Sequence, residues 1–273
     1  MKLRILTAVV GIPLLLFLIL YPPLWVFGLA VGAVCAISAW ELMRAALGKT
    51  PRRIYVSAMI SAFCMPVLFS LGWELRNGVG IMLFLFFVLS LELMFTFSQR
   101  RITLEMVAIS MLAGAVLPMM LSTVVRIGSD DLAGRCRMLL PLVVSFGSDA
   151  GAFFVGRKWG KRKLAPHISP NKTLEGAVGG IVSGALCSLI YGLILMAFGL
   201  VSHLFSLFFF GLVGGLLAEL GDLTFSAFKR QYGIKDYSEL LPGHGGMLDR
   251  FDSLYYLAPL AELWFVWFPV IGL

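Results

Sequence analysis

The chain has 273 residues, 59% of them hydrophobic and 14% charged, with a mean hydropathy of +0.93. An ordinary soluble domain is about half apolar and roughly a quarter charged, so these values exclude a soluble globular fold and point to an integral membrane protein. Lys and Arg outnumber Asp and Glu 22 to 15, a net charge of +7, which surplus basic residues in cytoplasmic loops account for without a nucleic-acid partner.

A bilayer core about 30 Å thick takes roughly 20 apolar residues per helix. Nine segments fit, at approximately 5 to 20, 24 to 40, 54 to 72, 79 to 97, 104 to 125, 138 to 156, 176 to 198, 203 to 226 and 253 to 272. Pro22 and Pro23 cannot sit inside a regular helix, which predicts a tight hairpin between the first two spans. Lys2 and Arg4 ahead of an apolar run resemble a secretory signal, but a second apolar run follows at once with no small-residue cleavage site, so the first segment reads as a mature helix. Cys35, Cys64, Cys136 and Cys187 lie mostly in apolar runs without CxxC spacing, which argues against a disulfide framework and against a zinc site.

The expected fold is an all-α polytopic bundle of about nine transmembrane helices with a cytoplasmic N-terminus. Counting basic residues on alternate sides supports that topology, since 18 of the 22 Lys and Arg fall on one side and only Arg76, Arg126, Arg135 and Arg137 on the other. The long polar stretches 157 to 175 and 227 to 252 then both face the cytoplasm. No repeat or separate soluble domain is evident, so residues 1–273 read as one membrane domain. Within it, residues 1–137 supply apolar structural or dimerising helices, and residues 138–273 carry the site.

Carboxylates at membrane depth are costly and mark candidate sites; Glu92, Asp149, Glu219, Asp222 and Glu262 qualify. Glu219, Asp222, Ser226 and Lys229 follow at i, i+3, i+7 and i+10, one face of the eighth helix. That face is either a helix-to-helix hydrogen-bond seam or one wall of an ion or phosphate site. The loop beyond it holds Lys229, Arg230, Lys235 and Arg250 as phosphate partners. Magnesium takes one or two carboxylates plus water and phosphate oxygens, a pair that Asp222 with Asp249 or Asp252 can supply. In Gly243-His244-Gly245-Gly246 the glycines let backbone amides approach a phosphate. The plainer readings are a turn at the glycines and an N-cap at Asp249. In the other loop, Ser169-Pro170-Asn171-Lys172-Thr173-Leu174-Glu175-Gly176 brings hydroxyls, an amide, a lysine and a carboxylate to a helix N-terminus, where free amides favour an anion. A helix cap accounts for Ser169 or Thr173, but not for Lys172 at that positive end. His167 and His203 receive no role.

The run from Ser226 through Lys229-Arg230, Lys235-Asp236, Ser238, Leu241-Pro242, His244-Gly245-Gly246 and Asp249-Arg250 to Asp252 resembles the signature of the phosphatidate cytidylyltransferases, also called CDP-diacylglycerol synthases. It spans 27 residues with many fixed polar positions. Asp149, the stretch from Ser169 to Gly176 and the segment ending in Asp222 resemble the same family in the same order. The resemblance covers roughly residues 145 to 255.

It implies that CTP and phosphatidic acid give CDP-diacylglycerol and pyrophosphate, in phospholipid biosynthesis, by in-line attack of the lipid phosphate on the α-phosphorus of CTP. On the matching positions, Asp222 and Asp249 would hold magnesium, with a second cation such as potassium beside it. Lys172, Lys229 and Arg250 would neutralise phosphates, with Arg230, Lys235 and Asn171 as further substrate contacts. His244, Gly245 and Gly246 would shape the phosphate loop, Asp252 would support the site, and Ser226 and Ser169 would hydrogen-bond a phosphate or the metal's water shell. Asp149 would act as ligand or support. The resemblance also implies a homodimer among membrane lipids, and the chain fits a bacterial inner membrane. The alternatives are a related CTP-dependent enzyme for another lipid, such as a polyprenol kinase or an isoprenoid or ether-lipid cytidylyltransferase, and a cation transporter.

Overall fold

A computed structural model of the protein describes residues 2–48, 51–96, 102–240, 245–268 and 270–272. His244, Lys49, Arg100 and Arg101 therefore lie outside the described residues. Among the described residues there are nine helices: α1 (Lys2–Leu20), α2 (Leu24–Leu47), α3 (Arg52–Ser70), α4 (Leu75–Thr96), α5 (Leu104–Arg126), α6 (Leu132–Trp159), α7 (Leu174–Ala197), α8 (Leu204–Gln231) and α9 (Leu248–Trp267). The protein is an all-α polytopic membrane protein. Seven of the helices, α2 to α8, are long and apolar enough to cross a bilayer. In α1 the apolar run Val9–Leu20 is short, and α9 carries Asp249, Arg250, Asp252 and Glu262.

Two small antiparallel ribbons interrupt the helices. Strand β1 (Lys163–Ala165) pairs with β2 (Ser169–Thr173), and β3 (Val201–Ser202) pairs with β4 (Ile271–Gly272). The chain divides into two compact units, Met1–Arg126 with Ile234–Arg250, and Ile127–Gly233 with Phe251–Leu273.

In the first unit, small residues let helix backbones meet. A Cβ on Gly28 or Gly32 of α2 would fall 2.3 Å from Ser70 Oγ or 2.7 Å from the Phe63 carbonyl on α3. A π turn at Leu112–Val116 lies one residue ahead of Pro118 in α5, whose missing N–H removes a donor from the helical ladder there. Glu92 of α4 pairs with Arg53 of α3 at 2.8 Å, so this intramembrane acid has a structural partner.

In the second unit, α7 packs between α6 and α8 along glycines. A Cβ on Gly151 of α6 would lie 2.0 Å from Ser183 Oγ, and one on Gly211 of α8 2.6 Å from the Gly184 carbonyl. Such close approach is the usual solution in membranes, where apolar burial gives no preference for helix over lipid and association rests on packing and hydrogen bonds. Ser188 Oγ adds one such bond to the Leu207 carbonyl at 2.7 Å.

Candidate active site

The second unit gathers most of the expected site residues, because three local features converge. Thr173 closes β2 and caps α7, its Oγ1 accepting the Gly176 amide at 3.1 Å. Glu175 accepts the amides of Lys161 and Arg162 at 3.0 and 3.2 Å, which ties the basic loop to the same helix start. With the β1–β2 ribbon so anchored, Lys172 reaches α8. Its Nζ lies 2.6 Å from Glu219 Oε2 and 2.7 Å from Asp222 Oδ2.

The face expected along α8 is thus a charged cluster rather than four unrelated polar groups. Ser226 Oγ lies 3.2 Å from Asp222 Oδ1, and Ser226 and Lys229 are both buried. Burial alone would lower the Lys172 pKa, but the carboxylates of Asp222 and Glu219 outweigh it and hold the ammonium above the ordinary lysine value. Glu219 itself is only 5% exposed, and its Oε1 has no hydrogen-bond partner. Gly180 of α7 leaves the room: a Cβ there would sit 2.9 Å from that oxygen.

Asp252, on α9 just ahead of the expected span, joins this cluster. Gly221 of α8 allows the approach, since a Cβ there would lie 2.9 Å from the Asp252 carbonyl. Burial of the Asp252 carboxyl, then the negative charges of Asp222 and Asp149, push its pKa up to about 7, against the opposing influence of Lys229. Ser169 lies half-buried in β2, Asn171 is exposed, and Arg230 is exposed with its Nε donating to the Ile168 carbonyl at 3.1 Å.

The first unit holds the rest. Asp249 is 6% exposed, and its Oδ2 accepts the amides of Tyr237 and Gly246, both at 2.9 Å. Asp249 lies inside the first turn of α9, which begins at Leu248, and not at its N-cap position; its bond back to Gly246 has the i to i−3 sense of a capping-box carboxylate. Gly245 has φ +83, and a Cβ there would meet Asp249 Oδ2 at 2.8 Å. Lys235 and Arg250 are exposed.

Sequence reasoning missed Glu41, which no exposed surface reveals: it is 0% exposed on α2. Its Oε1 accepts the Met247 amide at 2.9 Å and its Oε2 the Leu248 amide at 2.8 Å, while Ser238 Oγ donates to Oε1. An apolar span of 24 to 40 stops one residue short of this acid, whereas the helix continues to Leu47.

Among the described residues, no three His, Cys, Asp or Glu side chains converge as a metal centre. Magnesium asks for less, one or two carboxylates completed by water and phosphate oxygens. Carboxylate oxygens, such as those of Asp222 in the second unit or Asp249 in the first, are hard donors of the kind it takes. Burial and the neighbouring negative charges of Asp222 and Asp149, which together raise Asp252, and the unpartnered Oε1 of Glu219 mark the second-unit cluster as one that favours added positive charge.

Comparison with known proteins places the chain in a family. A sequence model of the cytidylyltransferase family matches residues 2–268. The chain is 34% identical to a phosphatidate cytidylyltransferase of Bacillus subtilis, over 95% of each chain. It is 32% identical to one of Haemophilus influenzae, over 95% of this chain and 96% of the relative. A third, from Staphylococcus saprophyticus, is 45% identical over 127 residues, 46% of this chain and 47% of the relative. The chain belongs to the cytidylyltransferase family, as a polytopic membrane nucleotidyltransferase.

Proposed function

We propose that the protein joins CTP to phosphatidic acid, giving CDP-diacylglycerol and pyrophosphate for phospholipid biosynthesis. An oxygen of the lipid phosphate forms the new bond to the α-phosphorus. The bond from that phosphorus to the bridging oxygen of the β-phosphate breaks, and pyrophosphate leaves with its electrons. The attacking phosphate is already ionised near neutral pH, so the reaction needs no general base; positioning and charge neutralisation carry it. The observation that carries this reading is the ion-paired cluster of Lys172, Glu219 and Asp222, a preformed arrangement of cation and carboxylates just past the middle of membrane helix α8.

Asp222 and Asp249 would hold magnesium, which when bound supplies charge neutralisation to the triphosphate; potassium is the candidate for a second cation. Lys172, Lys229 and Arg250 bind and neutralise phosphates, Arg230, Lys235 and Asn171 contact substrate, and Ser169 and Ser226 hydrogen-bond phosphate or water. His244 with Gly245 and Gly246 shapes the loop. Asp252 supports Asp222 across Gly221, and Asp149 adds negative charge to the same cluster.

The bacterial relatives support an inner-membrane location, the basic-residue bias supports a cytoplasmic site, and the homodimer rests on the family resemblance. A His167→Cys variant, in a background lacking the four native cysteines, should react with a membrane-impermeant thiol reagent only from the cytoplasmic side. Labelling from outside intact cells would invert the topology.

The decisive assay is transfer of label from α-phosphate-labelled CTP into chloroform-soluble product by purified protein with phosphatidate, with and without magnesium, beside Asp249→Asn. Labelled liponucleotide only from wild type with magnesium is the expected result. No transfer by a folded preparation would redirect the search to another lipid acceptor, and then to transport.

A further inference from the structure

A buried carboxylate within a membrane helix needs partners, and among the described residues those of Glu41 lie on a segment about 200 residues later in sequence. The amides of Met247 and Leu248 each give one of its oxygens a hydrogen bond, and Ser238 Oγ adds a third. Ser238 Oγ in turn accepts the Leu240 amide at 3.2 Å. Gly246 lies so close that a Cβ would fall 2.5 Å from Glu41 Oε1. Three consecutive amides at the start of α9 are therefore engaged by carboxylates, that of Gly246 by Asp249 and those of Met247 and Leu248 by Glu41.

The physical consequence concerns what the helix start does. A helix N-terminus with open amides attracts phosphate; this one already holds an anion, and that anion is a side chain of the protein. The amides of Met247 and Leu248 then serve to fix the segment rather than to receive substrate. Asp249 is the next residue, and its Oδ2 accepts the amides of Gly246, within the same segment, and of Tyr237, next to Ser238.

We propose that Glu41 is a positioning residue for the transfer reaction, holding residues 246–248 and Ser238 so that Asp249 keeps its working orientation. This rests on the function proposed above. Misplacing a reacting constellation by about 1 Å can cost on the order of a hundredfold in rate. A carboxylate accepts at both oxygens, whereas the glutamine isostere turns one of them into a donor facing an N–H.

The test uses the full chain in detergent, as wild type, Glu41→Gln, Glu41→Asp and Ser238→Ala. Three quantities are compared: kcat with saturating CTP and phosphatidate, equilibrium binding of a non-hydrolysable CTP analogue, and amide hydrogen exchange at Met247 and Leu248. In Glu41→Gln, kcat should fall about tenfold or more, analogue binding should change by less than about threefold, and exchange at both amides should accelerate. Glu41→Asp should recover part of the loss, and Ser238→Ala should show a smaller fall in the same direction.

Wild-type kcat in Glu41→Gln, or unchanged exchange at both amides, would overturn the proposal. So would parallel loss of kcat, analogue binding and helix content, which is the mark of a general folding role. If Glu41→Gln does not fold, Ser238→Ala decides: unchanged kcat with faster exchange at Met247 goes against the proposal. Absence of transfer by the folded wild type would overturn the proposed function and with it a positioning role in that reaction, whereas a loss confined to Glu41→Gln with faster exchange at both amides bears on Glu41 alone.

Discussion

Lys172 and Asp222 meet at 2.7 Å, joining a strand that ends at a helix cap to the middle of a membrane helix 50 residues later. The same ammonium lies 2.6 Å from Glu219, so one cation separates two acids on adjacent turns of α8. Without it, two carboxylates in poorly solvated positions would face each other.

Replacing that cation should therefore be costly. Removal of one partner from a buried ion pair costs about 3–5 kcal/mol. For Lys172→Met the loss should lie at or below the lower end, because the side chains of Lys172 and Asp222 keep 19% and 28% of their exposure. Adding Glu219→Gln should return part of the lost Tm in detergent. A double variant as unstable as the single would show that charge separation is not what Lys172 contributes.

The backbone at Gly245 adopts φ +83, where a side chain costs about 1–2 kcal/mol. A methyl group there also meets Asp249 Oδ2. Gly245→Ala should accordingly lower kcat more than it lowers Tm, since the clash falls on a residue of the proposed site. Turnover at the wild-type rate would remove Asp249 orientation from the argument.

The glycine at 211 is a packing residue. A Cβ there would lie 2.6 Å from the Gly184 carbonyl and 2.7 Å from Ala185 Cα, both backbone atoms. Gly211→Ala should destabilise by about 1–3 kcal/mol through overpacking. Gly80→Ala, on an exposed stretch of α4 with nothing within 4 Å, is the control, expected to be neutral or to stabilise by up to about 1 kcal/mol through helix propensity. Equal effects on Tm at the two sites would mean that α7 and α8 are not packed so closely.

Glu175 holds the loop before it by accepting two backbone amides. In Glu175→Ala, amide exchange at Lys161 and Arg162 should accelerate, and protease should cut between Lys158 and Lys163 sooner. Protection equal to wild type at both amides would assign the loop's order to the β1–β2 ribbon alone.

Hydropathy alone placed the helices, because a lipid core demands long apolar runs whatever they pack against. Helix ends were harder. Charged residues end an apolar window without ending the backbone hydrogen-bond ladder, so α2 runs to Leu47 rather than residue 40 and α6 spans Leu132–Trp159 rather than 138 to 156. A cap was legible at Ser169 or Thr173, and the structure puts it at Thr173, while the ribbon before it was not legible, since a three-residue strand has no periodicity to read.

The sequence by itself determined the membrane class, the resemblance to a cytidylyltransferase signature and the α8 face of Glu219, Asp222, Ser226 and Lys229, all of which depend on composition or on spacing along one helix. Only the tertiary structure decided which charge meets which. That Lys172 belongs to Glu219 and Asp222, and that Glu41 holds Met247 and Leu248, follows from helices brought together by glycine packing and a capped loop. Partners 47 to 207 residues apart leave no local pattern, because hydrogen bonds and ion pairs act over a few ångströms in space whatever the distance along the chain.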